Sequence, residues 1–128
     1  MVIAGLLLAG LGALFHVYVF YLESVAWTRD RTRATFGTSA QDSAITKPLA
    51  FNQGFYNLFL ALIVVSGLIA FAANNPLVGA TLVFAGAGSM VAAGLVLLFS
   101  NQDLARAALA HLGPPLLAVI LLAIGLLT

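Results

Sequence analysis

The segment Phe51–Asn57, with the sequence FNQGFYN, brings polar side chains to the start of a run that is otherwise apolar enough for a lipid bilayer. Its hydrogen-bonding side chains are those of Asn52, Gln53, Tyr56 and Asn57. Polar groups at such a depth are costly unless they find partners. We therefore expect their partners to come from other helices. The cluster either lines a pocket for a ligand or holds the helices together.

Three titratable side chains, His16, Glu23 and His111, also lie within apolar parts of the chain. Glu23 either pairs with an arginine of the following loop or with the carboxamides, or it is a carboxylate that binds a ligand or a proton. The histidines are either structural hydrogen-bond donors or proton carriers and metal ligands. No His-x-x-x-His spacing is present, so we predict no metal site. Bis-histidine haem is disfavoured because the two rings are expected at different depths, and we predict no other cofactor.

The composition identifies the class of protein to which these residues belong. Hydrophobic residues make up 62% of the 128 residues, charged residues make up 7%, and the mean hydropathy is +1.11. Nine charged side chains cannot cover a soluble domain of this length. The absence of cysteine excludes disulfides and thiolate metal sites, and a net charge of +1 provides no footprint for nucleic acid. The chain is therefore predicted to be an all-α integral membrane protein.

Apolar runs of bilayer length predict a single domain, residues 1–128, that forms a four-transmembrane-helix bundle. The helices are expected at about residues 2–27, 49–73, 77–99 and 104–127, with a polar loop at 28–48. Residues 38–42 of this loop have the polar character of an interfacial helix start. The Gly113-Pro114-Pro115 sequence predicts a kinked fourth helix, because proline removes backbone hydrogen bonds.

The basic residues predict the orientation of the bundle. All five Lys and Arg residues lie in the first and third loops, which the positive-inside rule places in the cytoplasm, with both termini outside. This orientation puts Glu23, the carboxamides of the second span and His111 in the cytoplasmic half, with His16 deeper. Tyr21 belongs either to an interfacial aromatic belt or to the same cluster.

Small residues recur at four-residue intervals on the first and third spans, where they favour close helix packing. The rows are Gly5, Ala9 and Ala13; Ala85, Ser89 and Ala93; and Gly86, Met90 and Gly94. Such faces pack against protein better than against lipid. One prediction from these rows is a homo-oligomer that associates through small-residue helix faces.

Several of these motifs together resemble a known family. They are HVYVFYLE at 16–23, Phe36, NQGFYN at 52–57, Gly94 and Gly113-Pro114. This pattern is similar to the small integral-membrane family catalogued as domain of unknown function 1304. The resemblance implies a bacterial inner-membrane protein with four helices and no known activity. Phe15 stands where relatives have an acidic residue, and His111 where they tend to have glutamine, so a two-carboxylate relay and an obligatory fourth-helix metal ligand are disfavoured.

Three functions are compatible with the sequence. The first is a protein that binds or transports a small or lipid-like ligand in a polar pocket in the cytoplasmic half of the bundle. The second is a membrane enzyme that uses Glu23 and a histidine as acid and base on a lipid or isoprenoid. The third is a structural or accessory subunit. No catalytic motif supports the enzyme, so binding or transport is the preferred hypothesis. The expected partners are membrane lipid and a small-molecule ligand.

Overall fold

Four apolar helices dominate the computed structural model, which describes residues 1–128 and contains no strand. The helices are α1 (Val2–Phe20), α2 (Asp30–Phe36), α3 (Ala40–Ala72), α4 (Pro76–Ser100) and α5 (Ala105–Leu127). A π-helical turn, Tyr21–Val25, extends α1, and a 3₁₀ turn, Gln102–Leu104, precedes α5. The segments long and apolar enough to cross a membrane are Val2–Val25, Ala40–Ala72, Pro76–Ser100 and Gln102–Leu127. The predicted all-α, four-helix membrane fold is confirmed.

The four long helices form an antiparallel ring in which α1 and α4 each pack against both α3 and α5. Both chain termini therefore lie at one end of the bundle, and α2 lies at the other, which we call the α2 end. The core between the helices is built largely from alanine and glycine, with Val64, Val83, Met90 and Leu122 as its larger side chains. Small residues allow the backbones to approach closely, which is the main source of helix association in lipid.

The polar stretch predicted as a loop at 28–48 is largely helical. It contains α2 and the first turns of α3. The helix start predicted within residues 38–42 is confirmed at Ala40, but this helix runs on into the span, which was predicted to begin separately at residue 49. The cause of this start is the cap at Ser39, whose hydroxyl accepts a hydrogen bond from the Asp42 amide at 3.0 Å. Pro48 lies inside this helix. At about 1.5 Å per residue α3 is longer than a bilayer core, so its first turns extend beyond the hydrocarbon.

The last helix continues through the Gly-Pro-Pro sequence. α5 is helical from Ala105 to Leu127 with Pro114 and Pro115 inside it. The fully buried ring of Pro115 packs against Gly12 of α1, so this proline contributes to the helix contact. A bend at these prolines stays a prediction.

The small-residue rows fall on different faces of the bundle. The row that begins at Gly5 and the row that begins at Gly86 are buried inside it. The remaining row, Ala85, Ser89 and Ala93, is exposed on α4. Two of the three predicted rows therefore hold the monomer together, and only the exposed row is free to meet another protein. Association through it stays a prediction.

Candidate functional site

A groove of about 500 Å³ opens at the α2 end, between the last turns of the first span and the first half of α3. Its lining combines polar and apolar side chains: Glu23, Trp27, Thr46, Leu49, Ala50, Asn52, Gln53 and Tyr56. We call it the Glu23 groove. Four of the predicted site residues, Glu23, Asn52, Gln53 and Tyr56, are among these eight. The structure therefore brings part of the predicted cluster to one open surface.

The groove continues the face by which α3 meets the core. Thr46, Gln53, Asn57 and Val64 follow one another at spacings of seven, four and seven residues, so they share one face of the helix. Val64 is fully buried and Asn57 nearly so, whereas Gln53 is exposed. This face is closed at Asn57 and Val64 and open at Gln53. A molecule in the groove would thus lie against the continuation of the core face of α3.

Glu23 is joined to α3 by one hydrogen bond at the inner edge of the groove. The Asn57 side-chain amide donates to a Glu23 carboxylate oxygen at 2.8 Å and to the Gln53 carbonyl at 3.2 Å. Asn57 is 5% exposed. An interhelical hydrogen bond of this kind is worth about 1 kcal/mol in a membrane. Asn57 therefore links two helices, as the structural alternative predicted. The same hydrogen bond orients the carboxyl group of Glu23.

The other carboxamides do not behave in the same way. Asn52 and Gln53 were expected to find partners on other helices, but their side chains are exposed in the groove. Gln53 shares the face of Asn57 but lies one turn nearer the α2 end, where the groove is open, and Asn52 lies on a neighbouring face. Only Asn57 is buried next to the first span. Tyr56 is 64% exposed.

The close approach of α1 and α3 at this site requires Gly54. A Cβ atom at this position would overlap the Ser24 hydroxyl oxygen and would lie 3.0 Å from the Ser24 amide nitrogen. Ser24 in turn donates a hydrogen bond to the Phe51 carbonyl at 2.8 Å. The glycine of the NQGFYN segment is therefore a helix-contact residue that holds Glu23 and Asn57 within bonding distance.

The π-helical turn places Glu23 and Trp27 on the groove. In this turn the Ala26 amide donates to the Tyr21 carbonyl five residues earlier, at 3.0 Å. One extra residue per turn rotates the following side chains relative to an α-helix, and such turns recur at functional sites. Trp27 then donates from its indole nitrogen to the Thr46 hydroxyl at 3.2 Å and packs against Phe36. The indole thereby forms one wall of the groove.

Tyr21, another predicted site residue, does not line the groove. Its hydroxyl accepts a hydrogen bond from Arg29 at 2.9 Å, and the guanidinium lies 5.9 Å from the centre of its ring. Tyr21 is 40% exposed. It acts as an anchor for the polar segment that follows the first span.

The two histidines form a separate pair in the interior. Their ring centroids are 4.1 Å apart in an edge-on arrangement, so the prediction that they lie at different depths is wrong. Gly5 packs against Leu122 and Gly12 against Pro115, and this one antiparallel register places His16 opposite His111. Counted from the observed ends of their spans, Val25 and Gln102, the two histidines are equally deep.

One nitrogen of this pair has no partner. His16 is fully buried, its Nδ1 is 2.9 Å from the Gly12 carbonyl oxygen, and its Nε2 makes no hydrogen bond. With Nδ1 as the donor, Nε2 carries a lone pair that no hydrogen-bond donor meets. No third His, Asp or Glu joins the pair to form a group of metal-ligand size. Neither histidine lines the Glu23 groove, so the acid and base of the enzyme alternative are not brought together there.

A second hollow, of about 400 Å³, lies between α1 and α3 at the opposite end of the bundle. It is lined by Ile3, Leu6, Leu7, Gly10, Leu68, Phe71 and Ala72. No side chain in it can donate or accept a hydrogen bond. Its lining therefore has no side-chain group that could confer selectivity for a polar ligand.

Comparison with known proteins assigns the chain to a family. A family model described as "Protein of unknown function (DUF1304)" matches residues 10–123. The chain belongs to the DUF1304 family. The resemblance found in the sequence motifs is thereby confirmed, and the match extends from the first half of α1 into the last turns of α5. Comparisons with curated proteins and with solved structures give no match.

The structure gives a physical reason for the motifs of this DUF1304 protein. In NQGFYN, Gly54 allows the contact with α1, Asn57 binds Glu23, and Asn52, Gln53 and Tyr56 line the groove. Gly94 permits the contact of α4 with Leu112 of α5, where an added Cβ would be 2.9 Å from the leucine Cβ. The sequence analysis did not predict Trp27 as a wall of the groove, although an aromatic residue at the end of a span is a recognisable signal.

Proposed function

We propose that this DUF1304 protein binds a small or lipid-like molecule in the Glu23 groove. The observation that carries the proposal is the lining: hydrogen-bonding side chains of Asn52 and Gln53 face open space next to the apolar wall of Leu49 and Ala50. Ligand pockets are commonly about 300–1,000 Å³ in volume and combine apolar walls with a few polar groups. A molecule with one polar end and one apolar end fits such a lining.

We further propose that the groove faces the cytoplasm. All five basic residues lie at the α2 end of the bundle. The positive-inside rule favours this end for the cytoplasmic side, and the family resemblance favours the bacterial inner membrane. A ligand would then enter from the cytoplasm or from the inner leaflet.

Native mass spectrometry of gently extracted protein tests the binding proposal. We expect a retained molecule in the wild-type protein that is lost in the double variant Asn52→Ala/Gln53→Ala, because both side chains are exposed in the groove and hold no helix in place. Gln41→Ala is the matched control: it removes an exposed carboxamide at the start of the same helix, outside the groove.

The outcome that would refute binding is specific. If wild type and double variant retain the same masses, or carry only bulk phospholipid, the groove holds no ligand and the polar cluster serves helix packing alone. If a molecule is identified, its uptake into vesicles by wild type and by Glu23→Gln distinguishes transport from binding.

A further inference from the structure

Glu23 is the only charged side chain in the groove lining, and it has no cationic partner. No Lys or Arg nitrogen lies within 4.0 Å of its carboxylate, since the single ion pair of the protein joins Arg33 to Asp30. Asn57 supplies one hydrogen bond, which leaves further acceptor positions on the carboxylate. A negative group at the edge of a bilayer with this little compensation favours an incoming positive charge.

The nearby arginines are held elsewhere. Arg29 is bound to the hydroxyl and the ring face of Tyr21, and Arg33 is bound to Asp30 at 2.6 Å. Arg31 on α2 and Lys47 on α3 are exposed, and neither lines the groove. The protein therefore keeps its own cations away from Glu23 by giving two of the three arginines other partners.

The walls beside Glu23 are also suited to a cation. Trp27 and Tyr56 line the groove with it, and aromatic faces attract ammonium groups, tryptophan most strongly. The indole is oriented by its hydrogen bond to Thr46, so its ring is not free to turn away. Carboxylate, aromatic ring and carboxamide oxygens together form a lining with negative and π-rich character and no positive group.

We infer that the ligand of the Glu23 groove is an amphipathic organic cation, with an amine or quaternary ammonium group at Glu23 and a hydrocarbon part along Leu49 and the membrane-facing side of α3. This inference rests on the proposed function, because it names the ligand class of the same groove. It excludes acidic lipids and uncharged alcohols as the preferred ligands.

The test uses the full protein in dodecyl maltoside micelles, which carry neither a charge nor an ammonium group that could compete for the groove. The probes are decyltrimethylammonium and decanol, which share one hydrocarbon chain and differ in charge. Trp27 is the only tryptophan, so its fluorescence reports on the groove alone. The variant is Glu23→Gln, which retains an oxygen to accept from Asn57, and the control is Asp103→Asn, which removes an exposed acidic group at the same end.

We expect the ammonium probe to change the Trp27 signal saturably and decanol to do so only weakly. Glu23→Gln should weaken the ammonium affinity by about tenfold or more, as expected for a lost charge-assisted contact, while Asp103→Asn leaves it unchanged. Equal responses to both probes with no effect of Glu23→Gln would overturn the cation assignment and leave ligand binding intact. Equal weakening by both variants would also overturn it, since it would indicate adsorption to a charged surface.

A third outcome separates the two proposals. If neither probe alters Trp27 fluorescence but native mass spectrometry finds a ligand that depends on Asn52 and Gln53, the cation inference fails and the binding function stands. If both experiments are negative, both proposals fail.

Discussion

Substitution of Gly54 by alanine tests whether the α1–α3 contact positions the groove. The added methyl group would overlap the Ser24 hydroxyl and press on the Ser24 amide nitrogen and the Phe20 carbonyl oxygen, 3.0 and 3.1 Å away. The hydroxyl can rotate away, but it then loses its hydrogen bond to Phe51, worth about 1 kcal/mol. The backbone atoms of Ser24 and Phe20 cannot turn away in this manner, and such overpacking costs about 1–3 kcal/mol.

These effects oppose a gain in helix propensity. Alanine is favoured over glycine inside a helix by up to about 1 kcal/mol. We therefore expect Gly54→Ala to lower the free energy of unfolding by about 1–3 kcal/mol in total. Gly88→Ala on α4 is the matched control, because a Cβ at Gly88 meets nothing within 4 Å. The control should be neutral or slightly stabilising.

The assay is reversible unfolding in mixed micelles titrated with a denaturing detergent, followed by helical circular dichroism. A double-mutant cycle with Ser24→Ala adds precision: once the hydroxyl is absent, Gly54→Ala should cost less than it does in the wild-type background. Equal stability of Gly54→Ala and Gly88→Ala would refute the reasoning, because it would mean that α1 and α3 are not in contact at Ser24.

Three further predictions concern single side chains. Asn57→Ala should lower the free energy of unfolding by about 1–2 kcal/mol, measured in the same titration, because it removes the hydrogen bond to Glu23; an unchanged value would show that this bond does not join the helices. His16→Leu should leave stability unchanged or raise it by about 1 kcal/mol, since it removes an unpartnered buried nitrogen; thermal unfolding checks this, and a large loss would mean that Nε2 has a partner. Ser39→Ala should cost about 1 kcal/mol locally, seen as faster hydrogen exchange at the start of α3 with little change in global unfolding.

The existence and number of the long helices could be predicted from the sequence. Apolar runs of bilayer length have few alternatives in lipid, where every backbone group must be hydrogen-bonded within its own segment. Hydropathy could not show that α3 is continuous from residue 40, because residues 40–48 are more polar than the rest of the helix. There the Ser39 cap, and not hydropathy, decides where the helix begins.

The candidate site was predictable in part. Glu23 and Asn57 were identified as polar residues near one end of the bundle, and their hydrogen bond follows from the antiparallel arrangement of α1 and α3. Composition and spacing could not reveal which amide faces α1 and which face the groove. That depends on the rotation of α3 about its axis and on the position along α3 at which the first span packs, and the contact of Gly54 with Ser24 fixes both.

The membrane class, the four apolar helices and the polarity of the α2 end are properties of the chain, because they follow from which residues are apolar, polar and charged. The pairing of His16 with His111 and the opening of the Glu23 groove are properties of the packed bundle. The pairing follows from the register between α1 and α5, which Gly5 and Gly12 set by their contacts with Leu122 and Pro115. The depth of a residue along one helix cannot be compared with that of a residue on another helix until such contacts fix the register between the two helices.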